Sequence, residues 1–597
     1  MRTHALTLPA ETNLNVLSFT VMLQSFFKSA FALFLVCCLA PSFFLQAQSF
    51  DGPMPEALAE LMPEVLTVGS IDVAALELQA AQIAKDSGRE LVGTVVDYSI
   101  DFFAAAGNVP SFDASGAQIF SVAFKVDGAR ALAVHFDDFH LPQGVELWCT
   151  SGADLDENLE SLWVEGPYDQ RENNDHARFA TGDAHGSVAT LWLRIPAGTL
   201  GTTRLHIEGF NATFNRGGSE LCEVDVACPE IAGWECQRDG VVRLSIIQGG
   251  GSYLCSGSMV NTTSLDCRQY LLTALHCADE VTEDEFPLLK VYFNYERSGC
   301  GTGNGLLSHK RTGVIRLADS DDSSPQGFNG SDYLLLEVED DIPTTWPVFF
   351  NGWTAVNQTS DWGTGIHHPS GDVKKISTYS SHLTSASLGS FGTHWRVNWV
   401  ETETNHGVTE GGSSGSPIFN TAGLIVGTLS SGLSACSIGS AGNGTGPNEP
   451  DYYGKMSYHW DGNNPNPADE KLNLWLDAAG TGLEVLGGAY PNLEIDQPCT
   501  PSSSCTPMGL SEEQVASGLR LMPNPATDQL FIRLPGAAAY TSGTTVRVFD
   551  PAGRLIAEHS MPAGLLRLST ADWSRGIHLV SLQLSDGSSV TRRVILN

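Results

Sequence analysis

Three separated segments of the sequence carry side chains that together could perform acyl transfer. The apolar stretch YLLTALHC contains His276, the stretch SDYLLLE has Asp332 near its start, and the turn EGGSSGSP carries Ser414. Acyl transfer by serine needs a hydroxyl nucleophile, a histidine that takes its proton, and a carboxylate that orients the histidine. The three segments supply one candidate for each part.

Each segment taken alone also has an ordinary structural explanation. A histidine beside a cysteine is usually structural, an aspartate before a strand is common in turns, and a Gly/Ser-rich turn can be a plain loop. The order favours catalysis, because 56 residues separate His276 from Asp332 and 82 separate Asp332 from Ser414. This order and scale are typical of chymotrypsin-type double β-barrels. Ser413 is a competing nucleophile in the same turn.

Short strands must position these residues, since the chain has few helical patterns. Residues 117–215 alternate like half-buried strands, which predicts an antiparallel sandwich, and residues 222–487 are again strand-rich with frequent glycine. One helix is predicted over 469–480. A separate small β unit is predicted at the C-terminus, with strands near 529–533, 545–549, 564–569 and 578–584.

Length and composition limit the class of protein. At roughly 150 residues per domain, 597 residues suggest about four structural units. The formal net charge of −36 argues against nucleic acid or an anionic membrane surface as a partner. From residue 520 onward, however, eight arginines oppose five acidic residues, a net charge of +3 that sets this C-terminal unit apart.

The first 47 residues have the pattern of an export signal. A positive flank, a short apolar run and a small residue predict a signal peptide over 1–47, cut after Ala47, with Met22 as an alternative start. The apolar run is shorter than the ~20 residues that a membrane anchor needs. A lipid anchor at Cys37 or Cys38 is disfavoured by the preceding valine. No later run reaches membrane length, so a secreted protein, extracellular or at the outer cell surface, is expected.

Eleven of the 13 cysteines follow this signal, and eight of them lie between residues 222 and 436. An even set in an exported chain suits disulfides, and the lack of a CxxC pair among them disfavours zinc. Residues 493–517 form a Pro/Ser-rich linker, within which Cys499 and Cys505 could close a small loop.

Six motifs in order resemble the bacterial lysyl endopeptidases: CEVDVACPE, CSGSMVN, LTALHC, IHHP, GVTEGGSSGSP and DYYGK. The similarity covers about residues 217–487, and we place the protease domain at 217–492. The resemblance implies an all-β, chymotrypsin-like double β-barrel. It also implies a secreted, trypsin-like serine endopeptidase that needs no cofactor and acts on proteins or peptides.

The resemblance assigns roles to individual residues. Ser414 would be the nucleophile, His276 the general base and acid, and Asp332 the orienting carboxylate. The backbone N–H groups of Gly412 and Ser414 would form the oxyanion hole. The family pattern Gly-x-Ser-Gly-x-Pro selects Ser414 over Ser413.

The same resemblance implies three disulfides, Cys222–Cys436, Cys228–Cys300 and Cys255–Cys277. Two cysteines within the domain, Cys236 and Cys267, are left over. From the even count we predict a fourth bridge between them.

Specificity for a basic side chain needs a buried carboxylate in the pocket, because burying an unpaired charge is prohibitive. Trypsin carries this acid six residues before the serine, where this chain has Val408. Lysyl endopeptidases use an aspartate after the serine, which Asp451 matches, although an aspartate after Pro450 could also be a turn residue. In the family, a histidine in the strand after the serine and a tryptophan stacked on it narrow the pocket towards lysine. Here Ser430 stands at the position of that histidine, and no tryptophan occurs around 386–389. Cleavage after arginine as well as lysine is therefore expected.

The segment before the protease domain resembles a propeptide. Arg216 precedes Gly217, which lies five residues before Cys222, the distance at which the family's mature chain begins. We therefore predict a maturation cut after Arg216, with residues 48–216 as a propeptide that holds a zymogen.

The C-terminal unit, residues 518–597, resembles the sorting domain of the type IX secretion system through the motifs LMPNPATDQL, VRVFDPAGRL and WSRGIHLV. This implies the type IX secretion machinery as a partner. A small adhesive β module is the alternative for this unit.

Two further features have structural readings. His367 and His368 could bind a metal, but the matching family segment is structural, and the acidic run DSDDSS from Asp319 lacks full calcium-ligand spacing. No metal site is predicted. The alternative for the whole chain is a catalytically inactive, protease-like surface adhesin displayed by the tail.

Overall fold

The computed structural model describes residues 63–152, 163–215, 217–320, 330–438, 445–462, 471–502, 505, 520–522, 524–533, 545–550, 553–560, 565–583 and 589–596. The predicted signal peptide with Ala47, and Arg216 of the predicted maturation site, lie outside these residues. None of the helices in the described part combines the length and apolar character needed to span a bilayer.

The region before the protease domain, described at residues 63–152 and 163–215 (hereafter the prosegment), contains eleven strands in its described part. They are β1 Val65–Ser70, β2 Glu90–Asp101, β3 Ser111–Phe112, β4 Gln118–Asp127, β5 Ala131–His140, β6 Glu146–Ser151, β7 Val164–Tyr168, β8 Phe179–Ala180, β9 Ala184–His185, β10 Val188–Ile195 and β11 Arg204–Thr213. One sheet has the order β1-β4-β10-β6-β7, with β3 beside β4, while β2, β5, β8, β9 and β11 belong to a second sheet. Side chains from both sheets, such as Phe124 and Phe210, share one buried core, which confirms the predicted sandwich.

The prosegment also contains two helices, α1 Val73–Ser87 and α2 Phe102–Ala105. The side chain of Asp72 caps α1 by accepting from the N–H of Ala75. Gly88 ends the helix with a φ of 71°, a left-handed conformation that glycine adopts without strain.

The N-terminal half of the protease region has seven strands outside the undescribed stretch 321–329: β12 Val241–Gln248, β13 Gly251–Met259, β14 Tyr270–Thr273, β15 Lys290–Tyr292, β16 Lys310–Thr312, β17 Val314–Asp319 and β18 Leu334–Val338. Its sheet continues into the prosegment in the order β16-β15-β12-β13-β2-β11-β5-β8. The junction is the antiparallel pair β13–β2, in which Gly251 lies opposite Thr94 and Leu254 opposite Glu90.

The C-terminal half of the protease region forms a second, nine-stranded sheet. Its strands are β19 Trp353–Thr354, β20 Gly363–His367, β21 Lys375–Tyr379, β22 Thr384–Leu388, β23 Ser390–Val397, β24 Pro417–Phe419, β25 Ile425–Gly432, β26 Asp451–Lys455 and β27 Val485–Leu486. Three short helices complete the region: α3 Glu235–Asp239, α4 Met456–Asp461 and α5 Leu472–Leu476. Only α5 is helical in the described part of the predicted helix at 469–480. A mainly antiparallel sheet in each half, with β19 and β25 as a parallel pair in the second, confirms the predicted chymotrypsin-like arrangement.

The C-terminal unit is a small sandwich of a three-stranded and a four-stranded sheet. Its strands are β28 Arg520–Met522, β29 Gln529–Arg533, β30 Thr545–Phe549, β31 Leu555–Ser560, β32 Leu565–Ser569, β33 Gly576–Gln583 and β34 Ser589–Leu596. Four of these match the predicted strands, and β28, β31 and β34 were not predicted.

Five disulfides occur among the described residues: Cys222–Cys436, Cys228–Cys300, Cys255–Cys277, Cys236–Cys505 and Cys267–Cys499. The predicted Cys236–Cys267 bridge is therefore wrong, and so is the predicted loop between Cys499 and Cys505.

The physical reason is that the start of the predicted linker folds back onto the protease region. The N–H of Cys499 donates to the carbonyl of Leu265, and the side chain of Asn261 donates to the carbonyl of Cys499. Spacing along the chain gave no sign of this return. Residues 493–502 and Cys505, which follow the expected domain boundary at 492, are thus linked to the protease region by two disulfides and by these hydrogen bonds.

Candidate active site

Two adjacent strands bring His276 and Asp332 together. In the antiparallel pair β14–β18, Thr273 at the end of β14 lies opposite Leu334 at the start of β18. His276 follows β14 in the short 3₁₀ helix Leu275–Cys277, and Asp332 precedes β18 with a φ of 58°. Both side chains are buried where β14 ends and β18 begins, a place hereafter called the His276 corner.

The contact between them has two points. The backbone N–H of His276 donates to Asp332 Oδ1 at 3.0 Å, and the ring Nδ1 of His276 lies 2.7 Å from Oδ2. Because a carboxylate only accepts hydrogen bonds, Nδ1 carries the proton and the lone pair of a neutral ring is on Nε2. This tautomer can accept a proton from a hydroxyl.

The turn that carries Ser414 packs against the His276 corner. The carbonyl of Ser414 accepts from the N–H of Ser256 at 2.8 Å. Ser256 follows Cys255, whose sulfur is bonded to Cys277, the neighbour of His276. The turn backbone lies so close to β14 that a Cβ on Gly415 would be 2.1 Å from Thr273 Oγ1. Ser414 therefore lies in the neighbourhood of the histidine.

The backbone of this turn can serve as an anion site. Gly412 has a φ of 83°, which favours glycine, and its carbonyl accepts from Ser256 Oγ at 2.9 Å. Within the described chain, the N–H groups of Gly412 and Ser414 donate to no protein group, whereas the intervening Ser413 N–H donates to the carbonyl of Glu410. Two free N–H groups in one tight turn are the donors that a developing oxyanion needs.

Ser413 occupies a different environment from its neighbour. It is fully buried, and its Oγ lies 2.8 Å from His367 Nδ1 and accepts from the N–H of Glu410 at 3.1 Å. Ser377 Oγ donates to the carbonyl of Val408, so it must accept from His367 Nε2–H at 3.0 Å. His367 Nδ1 is then an acceptor, and the Ser413 hydroxyl donates to it. Ser414, by contrast, is only half-buried.

Both ring nitrogens of His367 are thus occupied by serine hydroxyls. Burial, together with the charge of Lys375, lowers the pKa of His367 to about 3, so the ring is neutral at ordinary pH. This supports the structural reading of the histidine and gives no reason to assign a metal to it.

Asp451 is completely buried and surrounded by neutral donors. Its Oδ2 accepts from Trp399 Nε1 at 2.6 Å, from Thr409 Oγ1 at 2.7 Å and from Ser434 Oγ at 2.6 Å, and Oδ1 accepts from the Ser434 N–H. Burial raises the pKa of Asp451, although these hydrogen bonds oppose it. A cation beside this carboxyl would favour its ionised form. A Cβ on Gly432 would lie 2.1 Å from Oδ1, so this oxygen faces that glycine.

Several residues around Asp451 were not identified from the sequence. Trp399, which donates to the Asp451 carboxylate, lies ten residues beyond the stretch 386–389 in which the resemblance places a tryptophan. His394, on β23, contacts Ser430 Oγ through Nε2 at 3.1 Å, at the position where the family's histidine is missing. Burial lowers the pKa of His394 to about 4. His394 and Ser430 lie on strands β23 and β25, on either side of β26, and a contact between residues 36 positions apart leaves no local signal in a single sequence.

Two family models match the chain. Residues 216–454 match "Lysyl endopeptidase, C-terminal domain", and residues 520–597 match "Secretion system C-terminal sorting domain". These matches confirm both resemblances predicted from the motifs. The second indicates a secreted or cell-surface protein.

The chain is also similar to individual proteins. The chain is 28% identical over 292 residues to a lysyl endopeptidase of Pseudomonas aeruginosa, covering 47% of this chain and 58% of that protein, so it spans little more than half of that relative. The thermostable serine protease AL20 from an extremophilic microorganism is 14% identical with a TM-score of 0.27, covering 39% of this chain and 100% of that one. The protease Anisep from Arthrobacter nicotinovorans is 16% identical with a TM-score of 0.26, covering 36% and 90%.

Proposed function

We propose that the protein is a secreted serine endopeptidase that hydrolyses peptide bonds after basic residues, lysine and also arginine. The observation that carries this proposal is the two-point contact of His276 with Asp332 beside a turn that carries Ser414 and two free N–H groups. The family matches support the same reaction class.

The proposed reaction is acyl transfer through an acyl-enzyme. Ser414 Oγ attacks the scissile carbonyl carbon while His276 Nε2 takes the hydroxyl proton, and Asp332 stabilises the imidazolium that forms. The carbonyl oxygen becomes an oxyanion that accepts from the N–H groups of Gly412 and Ser414. His276 then gives its proton to the leaving amine, and a water molecule activated by His276 hydrolyses the ester.

The proposed substrate pocket ends at Asp451. A buried carboxyl with a raised pKa is poorly stabilised by neutral donors alone, so an ammonium or guanidinium group beside it gains a strong charge-assisted contact. Trp399, Thr409 and Ser434 hold the carboxylate in place. Position 430 carries a serine, whereas the family has there a histidine that restricts the pocket to lysine. We therefore include arginine among the accepted residues.

Active-site labelling tests the proposed chemistry. A fluorophosphonate should label the protein after cleavage behind Arg216 and removal of the prosegment, and Ser414→Ala should abolish the label. A chain that does not react with the reagent would instead be an inactive protease-like adhesin.

Matched lysine and arginine peptides test the pocket. Asp451→Asn should lose the preference for basic residues over a neutral peptide of the same length. An unchanged preference would refute the assignment of Asp451.

We also propose how the flanking regions serve this enzyme. Cleavage after Arg216 would create a mature chain that begins at Gly217. The C-terminal unit would direct export through the type IX secretion machinery. Mass spectrometry of the exported protein would reveal a first residue other than Gly217 if the proposed cut is wrong.

A further inference from the structure

A buried histidine lies behind the candidate active site and takes no part in the proposed reaction. His459 belongs to helix α4 and is fully buried. Its Nδ1 lies 2.7 Å from Ser331 Oγ, and its Nε2 lies 3.0 Å from Thr428 Oγ1. One ring therefore links the segment before β18, in the first sheet, with strand β25 of the second.

The first of these contacts reaches the residues on either side of Asp332. Ser331 directly precedes Asp332, and the ring of Tyr333, which follows it, has its centroid 5.1 Å from that of the His459 ring. The carbonyl oxygen of Ser331 is so close to strand β26 that a Cβ on Gly454 would lie 1.8 Å from it. His459 thus packs against both chain neighbours of the orienting carboxylate.

The backbone of Asp332 needs such support. Its φ of 58° is a left-handed conformation that persists only where surrounding contacts fix it, because residues other than glycine adopt it at a cost. The carboxylate must also keep both oxygens on His276, since Oδ1 accepts from the backbone N–H and Oδ2 from Nδ1. A small rotation of the segment 331–333 would break this two-point contact.

The second contact of His459 reaches the strand behind the turn that carries Ser414 (hereafter the serine turn). Thr428 lies in β25, and the carbonyl of the next residue, Leu429, accepts from the N–H of Gly415 at 2.8 Å. The strand that His459 contacts through Nε2 therefore also holds the backbone of the serine turn.

The ring of His459 is neutral. Burial, together with the neighbouring His394, lowers the pKa of His459 well below its usual range. A neutral ring donates from one nitrogen and accepts at the other, so one histidine satisfies both hydroxyls. It brings no charge to Asp332, and its influence on that carboxylate is therefore one of position.

We propose that His459 is a positioning residue of the active site. It holds the segment 331–333 and strand β25 at a fixed separation, and thereby keeps Asp332 aligned with His276 beside the serine turn. The alignment is independent of catalysis, whereas its effect on the reaction rate rests on the proposed function.

Hydrogen exchange in the full chain measures the alignment without catalysis. His459→Leu removes both contacts, so the backbone N–H of His276, which donates to Asp332, should exchange at least about tenfold faster. An unchanged exchange rate at His276 would overturn the proposal.

A pair of amide variants covers the case in which His459→Leu does not fold. The amide of His459→Asn can still reach Ser331, whereas the longer side chain of His459→Gln keeps only the contact with Thr428. The His276 N–H should therefore exchange faster in the glutamine variant than in the asparagine variant. Equal rates would overturn the link through Ser331.

A neighbouring substitution separates positioning from loss of stability. Trp460→Leu changes the next residue of α4, whose ring centroid lies 4.7 Å from that of Trp353, and it should destabilise the helix without faster exchange at His276. Equal acceleration in this control would overturn the proposal, because the effect would then be one of general loosening.

Kinetics on a basic peptide measure the catalytic consequence in the exported enzyme. His459→Gln should lower kcat at least about tenfold and change KM less than about threefold, because misplaced reacting groups affect the transition state more than binding at Asp451. Trp460→Leu should leave kcat unchanged. An unchanged kcat in His459→Gln would overturn its role in the active site. A wild-type enzyme that hydrolyses no peptide would overturn the proposed function, while the exchange rates at His276 would still decide whether His459 positions Asp332.

Discussion

The two adjacent serines of the catalytic turn should respond to substitution in opposite ways. Ser413→Ala removes a donor to His367 Nδ1 and an acceptor for the Glu410 N–H. A buried polar group left unsatisfied costs about 1–3 kcal/mol, so the two lost contacts should lower the free energy of unfolding by about 2–6 kcal/mol. Ser414→Ala removes a half-buried hydroxyl with no hydrogen bond to the described residues. This substitution should change the free energy of unfolding by about 0.5 kcal/mol or less.

Urea denaturation and fluorophosphonate labelling together measure this difference. Ser413→Ala should still be labelled at Ser414, with a rate reduced less than about 100-fold, because both oxyanion donors remain in the turn. Ser377→Ala is the companion variant, since it removes the acceptor of His367 Nε2–H without touching the turn, and it should lower stability while labelling persists. Persistent labelling of Ser414→Ala, combined with none in Ser413→Ala, would refute the assignment of the nucleophile.

The remaining predictions concern charge, space and pH. Asp332→Asn should lower kcat on a basic peptide about 10⁴-fold, because the amide favours the wrong histidine tautomer; a small change would contradict the proposed role. Gly432→Ala places a Cβ 2.1 Å from the pocket carboxylate and should lower kcat/KM for basic peptides at least about tenfold, whereas Gly446→Ala, with no atom nearer than 3.6 Å, should not. Burial, with the nearby Glu410 charge, raises the pKa of Glu90 from 4.5 to about 7. Its contribution to the free energy of unfolding of the uncut chain is therefore complete below pH 4.5 and is lost as the pH rises through 7, so the midpoint of urea denaturation should fall over this range. Glu90→Gln should remove this part of the pH dependence when the denaturation midpoints at pH 5 and 8 are compared, and an undiminished difference between the two midpoints would contradict the assignment to Glu90.

The sequence was most informative where chemistry demands particular residue types. A histidine, an aspartate and a serine in a Gly-rich turn can be identified from the sequence by residue type alone. Alternation of apolar and polar residues likewise predicts strands directly. The contact of His276 with Asp332 then follows from the register of two neighbouring strands, which the sequence suggests only through the resemblance.

Contacts between distant segments could not be predicted in the same way. The pairing of β2 with β13 depends on two strand edges more than 150 residues apart, and many sequences fit such an edge. Disulfide partners are equally hidden, because counting cysteines limits the number of bridges without saying which pairs form. The even count therefore predicts a bridge between Cys236 and Cys267, although each is bonded to a cysteine beyond residue 492.

If the C-terminal tail is removed from the proposed enzyme, the bond between Cys236 and Cys505 limits where the chain can be cut. A cut anywhere before Cys505 would leave the tail covalently attached to the enzyme through sulfur, even though the backbone had been severed. Under oxidising conditions, only hydrolysis beyond position 505 can release the tail. The liberated enzyme should therefore keep a C-terminal extension ending at or after Cys505, visible as extra mass in the intact non-reduced protein.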